Sequence, residues 1–183
     1  FGCACCPPNI ARTLASLGEY VYAAEENDLW VNLFVGGEAE VSFGEIPVKA
    51  KVETRFPFEG KVKLTLTADK EVNGTIRLRI PSYADEISLS CDGKAVTAEA
   101  GSYAKIPFEG AKTEILLSFE MPPHFVYANP KVRADAGKVA VKRGPLVYCM
   151  EQADNGENLS NLFVDTTVEP VVTYESGLLG GTD

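Results

Sequence analysis

The sequence has few of the residues that mark several common classes of protein. It contains one histidine and one tryptophan among 183 residues, and 26 acidic residues outnumber 17 basic ones, for a formal net charge of −9. This acidic balance argues against binding to a nucleic-acid backbone, which requires a basic face. No run of 18 apolar residues is present, so the sequence predicts no transmembrane helix and no membrane partner.

The chain also lacks an initiator methionine and a recognisable signal peptide. A cysteine-rich motif begins at residue 3, and we therefore expect the chain to be part of a longer protein. Three of its five cysteines are clustered, and an odd, clustered set is a poor basis for a disulfide framework. Thiols fit a reducing compartment or a metal site better, which favours a cytoplasmic location.

The first element that is present is an amphipathic helix, predicted over residues 7–24. Pro7 and Pro8 can occupy its first turn, where a missing N–H costs least. Apolar residues then recur at helical spacing, namely Ile10, Leu14, Leu17 and Val21. The helix is expected to end at residues 25–27, where the pattern changes.

From residue 28 the apolar residues alternate with polar ones, which indicates strands. Asp92–Gly93 is a two-residue hairpin turn. Turn signals recur every 8 to 12 residues, and this spacing is typical of an antiparallel β-sandwich. We expect five side chains to point into its core: Ile76, Leu78, Ile80, Ile87 and Leu89.

A proline-containing stretch, "MPPHF" at residues 121–125, is the predicted boundary between two β regions. The first comprises residues 28–122. The second, residues 123–183, has strands predicted in "KVAVKRGPLVYCME" and "NLFVDTTVEPVVTYE", which are too few for a complete sandwich, so we expect an incomplete β region. The predicted fold is therefore mostly β, an antiparallel sandwich preceded by one N-terminal helix within residues 1–27.

Three cysteines, Cys3, Cys5 and Cys6, lie at the start of the predicted helix. A helix N-terminus carries partial positive charge, which favours a thiolate, and a thiolate is both a nucleophile and a soft metal ligand. The cluster can therefore supply zinc ligands, a nucleophile or both. It is not a complete zinc site, because structural zinc requires four ligands. The alternative is a thiol-rich helix start that packs against other structure.

The other candidate residues have simpler explanations. Cys91 and Cys149 lie in apolar strand patterns, so we expect both to be buried. His124 follows a proline and is expected to be solvated or capped. Exposed aromatic residues such as Trp30, Tyr83 and Tyr103 could form a carbohydrate-binding face, but aromatic residues at alternating strand positions usually belong to the core. A purely structural β-sandwich is the third possibility.

Several stretches resemble one known family. They are "CACCPPNIARTLASLGEYVYA", "LWVNLFV", "GTIRLRIPSYAD", "CDGKAV" and "FVYANPKVRADAGKVAVKRGPLVYCMEQADN", and the family is the bacterial β-L-arabinofuranosidase family of glycoside hydrolases. The likeness extends over most of residues 1–165. It implies an (α/α)6 catalytic barrel followed by β-sandwich domains, so residues 1–27 would hold the last barrel helix.

The resemblance also implies a retaining mechanism with a zinc-bound cysteine nucleophile. Carried onto this sequence, Cys5 is the nucleophile and a zinc ligand, Cys6 is a second zinc ligand, and the role of Cys3 stays open. In the family, the other zinc ligands, the acid/base glutamate and the sugar-binding histidines precede this motif. We therefore expect zinc and an L-arabinofuranosyl oligosaccharide or glycoconjugate to bind the whole protein. The chain alone is expected to be inactive and structural, to hold zinc weakly or not at all, and to be able to pair with a second copy through its helix.

Overall fold

A computed structural model describes residues 5–175 and Gly177. The chain divides into two compact units, Phe1–Glu120 and Met121–Asp183. The first unit consists mostly of strands after a short helical segment, and the second contains a small sheet, so the predicted mostly-β class is confirmed for the chain. Within the part of the chain that the structure describes, no helix has the length and hydropathy needed to cross a membrane.

The N-terminal helix is shorter than the sequence predicted. Helix α1 spans Cys6–Ser16, helix α2 spans Gly18–Val21, and strand β1 then spans Tyr22–Glu25. The prediction of helix up to residue 24 is therefore wrong after Val21. Strand β1 pairs antiparallel with strand β2, Asp28–Val31, so its backbone groups gain partners that the end of a helix lacks.

Eight strands of the first unit form one hydrogen-bonded sheet. After β1 and β2 they are β3 (Gly37–Phe43), β4 (Ile46–Thr54), β5 (Lys61–Arg79), β6 (Asp85–Cys91), β7 (Lys94–Ala95) and β8 (Tyr103–Glu120). The main order is β1-β2-β5-β8-β6-β7, and β4 lies between β3 and the first half of β5. The long strand β5 therefore pairs with β4, β2 and β8, and the long strand β8 connects β5 to β6.

The expected purely antiparallel arrangement is wrong at one pair of strands. Strand β2 runs parallel to the second half of β5, with Asp28 opposite Thr75 and Val31 opposite Leu78. The 43 residues numbered 32–74 connect these two segments, which is ample for a parallel connection. The sheet is consequently mixed.

The predicted core residues are confirmed in most cases. Ile76, Leu78, Ile80 and Leu89 are buried, because alternate side chains of a strand point to the same face. Ile87 is only half-buried. The pairing of β6 with β8 shifts register between Asp85 and Ser88, and this irregularity interrupts the alternation at Ile87.

Two close contacts fix the inner packing of the first unit. The rings of Phe43 on β3 and Phe108 on β8 meet edge to face, with centres 5.5 Å apart. Gly74 on β5 lies against Asn27 and Phe43, and a Cβ at this position would collide with the carbonyl oxygen of Asn27 and the Phe43 ring. A residue without a side chain is therefore required there.

The Asp92–Gly93 hairpin turn is confirmed. Cys91 pairs with Lys94 across it, and both turn residues have positive φ, +48° at Asp92 and +76° at Gly93. This is the left-handed conformation that two-residue hairpin turns demand and that Asp-Gly adopts readily.

The second unit contains a three-stranded antiparallel sheet in the order β11-β10-β9. The strands are β9 (His124–Tyr127), β10 (Val139–Arg143) and β11 (Leu146–Tyr148), and they are followed by a short helix, α3 (Gln152–Asn155). The strands predicted in "NLFVDTTVEPVVTYE" are not found, since residues 162–174 form no strand and the side chain of Phe163 is 95% exposed. Alternation alone cannot make a strand where no neighbouring strand accepts its hydrogen bonds.

Candidate active-site thiols at the start of the helix

Cys5 and Cys6 occupy the positions that the sequence assigned to them. Cys5 is the N-cap residue of α1, Cys6 is the first residue inside the helix, and both are exposed. Cys3 lies outside the described residues. The helix start therefore presents two neighbouring thiols to solvent.

The two prolines reduce the number of backbone N–H groups that need a hydrogen-bond partner at the start of α1. The first N–H groups of a helix have no partner inside it, and a side chain usually accepts a hydrogen bond from one of them. Pro7 and Pro8 follow Cys6 and carry no N–H, and no side chain caps α1. The thiol of Cys5 is therefore not used to cap the helix.

The spacing of the two sulfur atoms fits a shared metal better than a disulfide. The Sγ atoms of Cys5 and Cys6 lie 3.5 Å apart. Two thiolates bound tetrahedrally to one zinc at about 2.3 Å would lie about 3.8 Å apart. A disulfide prefers Cα atoms at least about 4.4 Å apart, whereas neighbouring residues are held at about 3.8 Å. The pair can thus supply two ligands to one metal.

The rest of a metal site is not assembled here. Among residues 5–175 and 177, no three histidine, cysteine, aspartate or glutamate side chains come together in a way that could hold a metal. Cys91 lies at the end of β6, His124 begins β9, and Cys149 follows β11. The two thiols therefore fit zinc in chemistry and spacing but provide only half of a four-ligand set.

The remaining cysteines and the histidine give mixed outcomes. Cys91 is half-buried rather than fully in the core, its Sγ lies 3.2 Å from Thr113 Oγ1, and burial raises the pKa of its thiol. The prediction that Cys149 is buried is wrong, because the strand ends at Tyr148 and Cys149 is exposed. His124 is exposed and its Nδ1 lies 3.3 Å from the carbonyl oxygen of Pro122, as the capped interpretation predicted.

The proposed aromatic face has other contacts. Trp30 and Tyr103 both point away from the core, but the guanidinium carbon of Arg77 lies 5.1 Å from the centre of the Trp30 ring. Arg77 Nε also donates to Asp28 Oδ2 at 2.6 Å. Because Arg77 stacks on Trp30, one face of the ring is not available to a sugar.

The two tyrosines of that face are similarly constrained. The hydroxyl of Tyr103 donates to Asn32 Oδ1 at 2.8 Å. Tyr83 is half-buried, and this burial raises the pKa of its phenol. The face is therefore a network of internal contacts, and the structure gives it no open aromatic platform.

Helix α1 keeps its apolar side uncovered. Ile10 and Leu14 are 61% and 68% exposed, Leu17 is also exposed, and only Val21, in α2, is buried. Three apolar side chains in a helical row normally pack against another element. The described residues do not supply one.

Two family models match the chain in succession. Residues 28–121 match the model described as "Beta-L-arabinofuranosidase, GH127 middle domain", which alone covers more than half of the chain. Residues 123–175 match the C-terminal domain of glycoside hydrolase family 127. The two β-rich segments of this chain therefore correspond to the middle and C-terminal domains of a glycoside hydrolase family, and the thiol pair precedes them in the sequence.

Individual relatives agree with this assignment. The non-reducing end β-L-arabinofuranosidase of Bifidobacterium longum subsp. longum is 37% identical over 194 residues, which cover 100% of this chain and 29% of that protein. A crystal structure of a β-L-arabinofuranosidase from Geobacillus stearothermophilus T6 is 39% identical with a TM-score of 0.88, covering 99% of this chain and 29% of that one. A solved β-arabinofuranosidase of the same family is 35% identical with a TM-score of 0.87, covering 99% of this chain and 31% of that one. The chain belongs to glycoside hydrolase family 127 and spans about 29% of the length of its curated relative.

Proposed function

We propose that this chain supplies the nucleophilic thiol of a retaining glycoside hydrolase that releases β-L-arabinofuranose from an oligosaccharide or glycoconjugate. The observation that carries the proposal is the exposed pair Cys5–Cys6, with Sγ atoms 3.5 Å apart at the start of a helix, in a member of family 127. We place the second catalytic group in the part of the enzyme outside this segment, since the chain spans about 29% of the length of a family relative.

Cys5 and Cys6 are the residues that would hold zinc, together with ligands from outside the chain. Their sulfur spacing is close to that of two thiolates on one zinc ion. When bound, zinc would stabilise the thiolate form at neutral pH. The exposure of both residues leaves room for further ligands and for a sugar to approach.

Cys5 acts in this proposal by direct attack. Its Sγ forms a bond to the anomeric carbon while the bond from that carbon to the leaving oxygen breaks, and an acid outside this chain donates a proton to the oxygen. Water then attacks the same carbon and gives up a proton to the same acid/base group outside this chain, while the carbon–sulfur bond breaks and the thiolate is restored. Two displacements at one carbon retain its configuration.

The remaining segments have a structural role in this proposal. The uncovered row Ile10–Leu14–Leu17 supports placing α1 as the last helix of an (α/α)6 barrel within residues 1–27. The mixed sheet that follows, up to residue 122, would serve as the β-sandwich domain after that barrel. Residues 123–183 would form part of a second β-domain.

The decisive test uses a full-length family protein that carries this segment. We expect Cys5→Ser to lower kcat by at least about 10⁴-fold, because an enzyme that loses its nucleophile keeps little beyond binding. Cys6→Ser should chiefly lower the zinc content, measured by mass spectrometry after dialysis. Cys149→Ser is the matched control, since it removes another exposed thiol, and it should change neither quantity. Full activity in the Cys5→Ser protein would refute the proposal.

The 183-residue chain alone gives a second test. It should not hydrolyse an aryl β-L-arabinofuranoside, because a missing acid/base group alone costs about 10²–10⁴-fold. It should hold zinc weakly, or only when a second copy completes the ligands across a dimer of α1 helices. Zinc analysis after dialysis and light scattering check both statements. A monomeric chain with one tightly bound zinc would contradict them.

A further inference from the structure

The outward face of the sheet contains a depression that the thiol site does not use. It is an open concavity of about 550 Å³ over strands β5, β6 and β8, bordered by the end of β4 and the turn that follows it. Its size falls in the range of small-molecule sites.

The strand register explains why polar groups converge there. Leu116 on β8 lies between Lys63 on β5 and Ser90 on β6. In the next row, Ser118 lies between Lys61 and Ser88. The residues between them along the strands point into the core, which turns all six of these side chains outward.

Three serine hydroxyl groups in this depression are available to bind a ligand. The side-chain hydroxyls of Ser88, Ser90 and Ser118 make no hydrogen bond to another described residue, and each can both donate and accept. Leu116 lies among them with its side chain 44% exposed. The depression thus combines an apolar floor with three converging hydroxyl groups.

The charges around the depression nearly cancel. Lys63 pairs with Glu114 at 2.9 Å, Arg55 with Glu59 at 2.9 Å, and Lys51 with Glu53 at 3.3 Å. Of the lining cations, Lys61 alone has no ion pair with another described residue. An anion would therefore meet one unpaired ammonium group and two carboxylates, whereas an uncharged polyol can use donors and acceptors alike.

We propose that this depression binds an uncharged sugar residue. The apolar face of the sugar ring would rest on Leu116, and its hydroxyl groups would bond to Ser88, Ser90, Ser118 and Lys61. None of the described residues that line the depression is aromatic, so recognition here depends on hydroxyl groups, Lys61 and a leucine. The binding is separate from the proposed catalysis, since it requires neither cysteine.

The test is an NMR titration of the 183-residue chain with L-arabinose and, separately, with inorganic phosphate. We expect saturable amide shifts at Ser88, Ser90, Leu116 and Ser118 with L-arabinose and none with phosphate. The double substitution Ser90→Ala/Ser118→Ala should weaken L-arabinose binding about tenfold, since it removes two hydrogen-bonding groups. Lys61→Gln, which alters no serine, should weaken it less.

Ser42→Ala is the matched control, because Ser42 is exposed on β3 and does not line the depression. It should leave the titration unchanged. The proposal is overturned by any of four results: no saturable shift, shifts confined to the Trp30 face, saturable binding of phosphate in place of L-arabinose, or unaltered binding by the folded double variant.

Discussion

Helix α1 and strand β5 both carry a periodic row of apolar side chains, but only those of β5 are buried. Val62, Leu64 and Leu66 have neighbours on β4 and β8, whereas no residue of α1 is buried. Periodicity in a sequence therefore predicts which face is apolar, but burial depends on whether another element covers that face.

The same contrast separates the two functional candidates. The thiols of Cys5 and Cys6 lie at the start of the helix whose apolar side is uncovered, whereas the serines of the depression lie on strands that bury Leu89 and Leu117 on their other face. A site on a packed sheet is held in place by the core beneath it. A site on α1 requires the element that covers the helix. We therefore expect the depression, but not the thiol site, to be complete in this chain.

The largest expected difference in stability is between a substitution in the packed sheet and one on the uncovered face of α1. Phe108 is fully buried and packs against Phe43, so Phe108→Ala should lower the free energy of unfolding by about 3–5 kcal/mol. Leu14 is largely exposed, so Leu14→Ala should change it by less than about 0.5 kcal/mol. Urea unfolding followed by the fluorescence of Trp30 measures both. A large loss in Leu14→Ala would show that α1 packs on the sheet in solution.

Much of the sheet was predictable because its signals are local. Alternation in β4 and the Asp92–Gly93 turn depend on neighbouring residues only, and both were predicted correctly. The parallel pairing of β2 with β5 joins residues 47 apart in sequence, such as Asp28 and Thr75. A pairing between residues so far apart leaves no local pattern in the sequence. The turn spacing therefore predicted an antiparallel arrangement throughout.

The candidate site shows a similar division. The helix start and its two exposed thiols were predictable from the prolines and the cysteine motif, whereas the roles proposed for the thiols rest on the family resemblance. The contact of Asp28 with Arg77 could not be predicted, because it depends on the parallel pairing. Cys149 was wrongly predicted to be buried, since an apolar run does not reveal where its strand ends.

The next largest effect on stability should come from two glycines, one on β5 and one in the short helix that follows α1. Gly74→Ala should destabilise the chain by about 1–3 kcal/mol, because the new Cβ collides with the Asn27 carbonyl and the Phe43 ring. Gly18→Ala, in α2, meets no atom within 4 Å and should be neutral or stabilising by up to about 1 kcal/mol. Thermal unfolding of both variants tests the pair. Equal midpoints would show that the close approach at Gly74 relaxes at no cost.

The smallest expected change in the free energy of unfolding comes from Asp92 in the hairpin turn, and this change depends on pH. One oxygen of Asp92 accepts a hydrogen bond from the backbone N–H of Glu114 at 2.8 Å, and the other accepts one from the hydroxyl of Thr113 at 2.9 Å. The Thr113 side chain is buried, with 2% exposure. The bond from the Glu114 N–H is the main cause that lowers the pKa of Asp92 below its ordinary value. Asp92→Asn keeps a residue that tolerates positive φ but removes the charge, so we expect a loss of about 1 kcal/mol at neutral pH.

The sign of the pH dependence follows from the direction of that shift. A carboxyl group whose pKa is lower in the folded state stabilises the fold fully above its unfolded pKa, which is about 3.9 for aspartate. This contribution is lost as the pH falls below that value and through the lower, folded pKa. The difference in unfolding free energy between the original chain and Asp92→Asn should therefore be constant near pH 7 and shrink below about pH 4. Urea unfolding at several pH values measures it, with Asp69→Asn as the control because Asp69 is exposed and its carboxylate makes no hydrogen bond or ion pair with another described residue. A difference that grows on acidification would show that the carboxylate of Asp92 does not stabilise the turn.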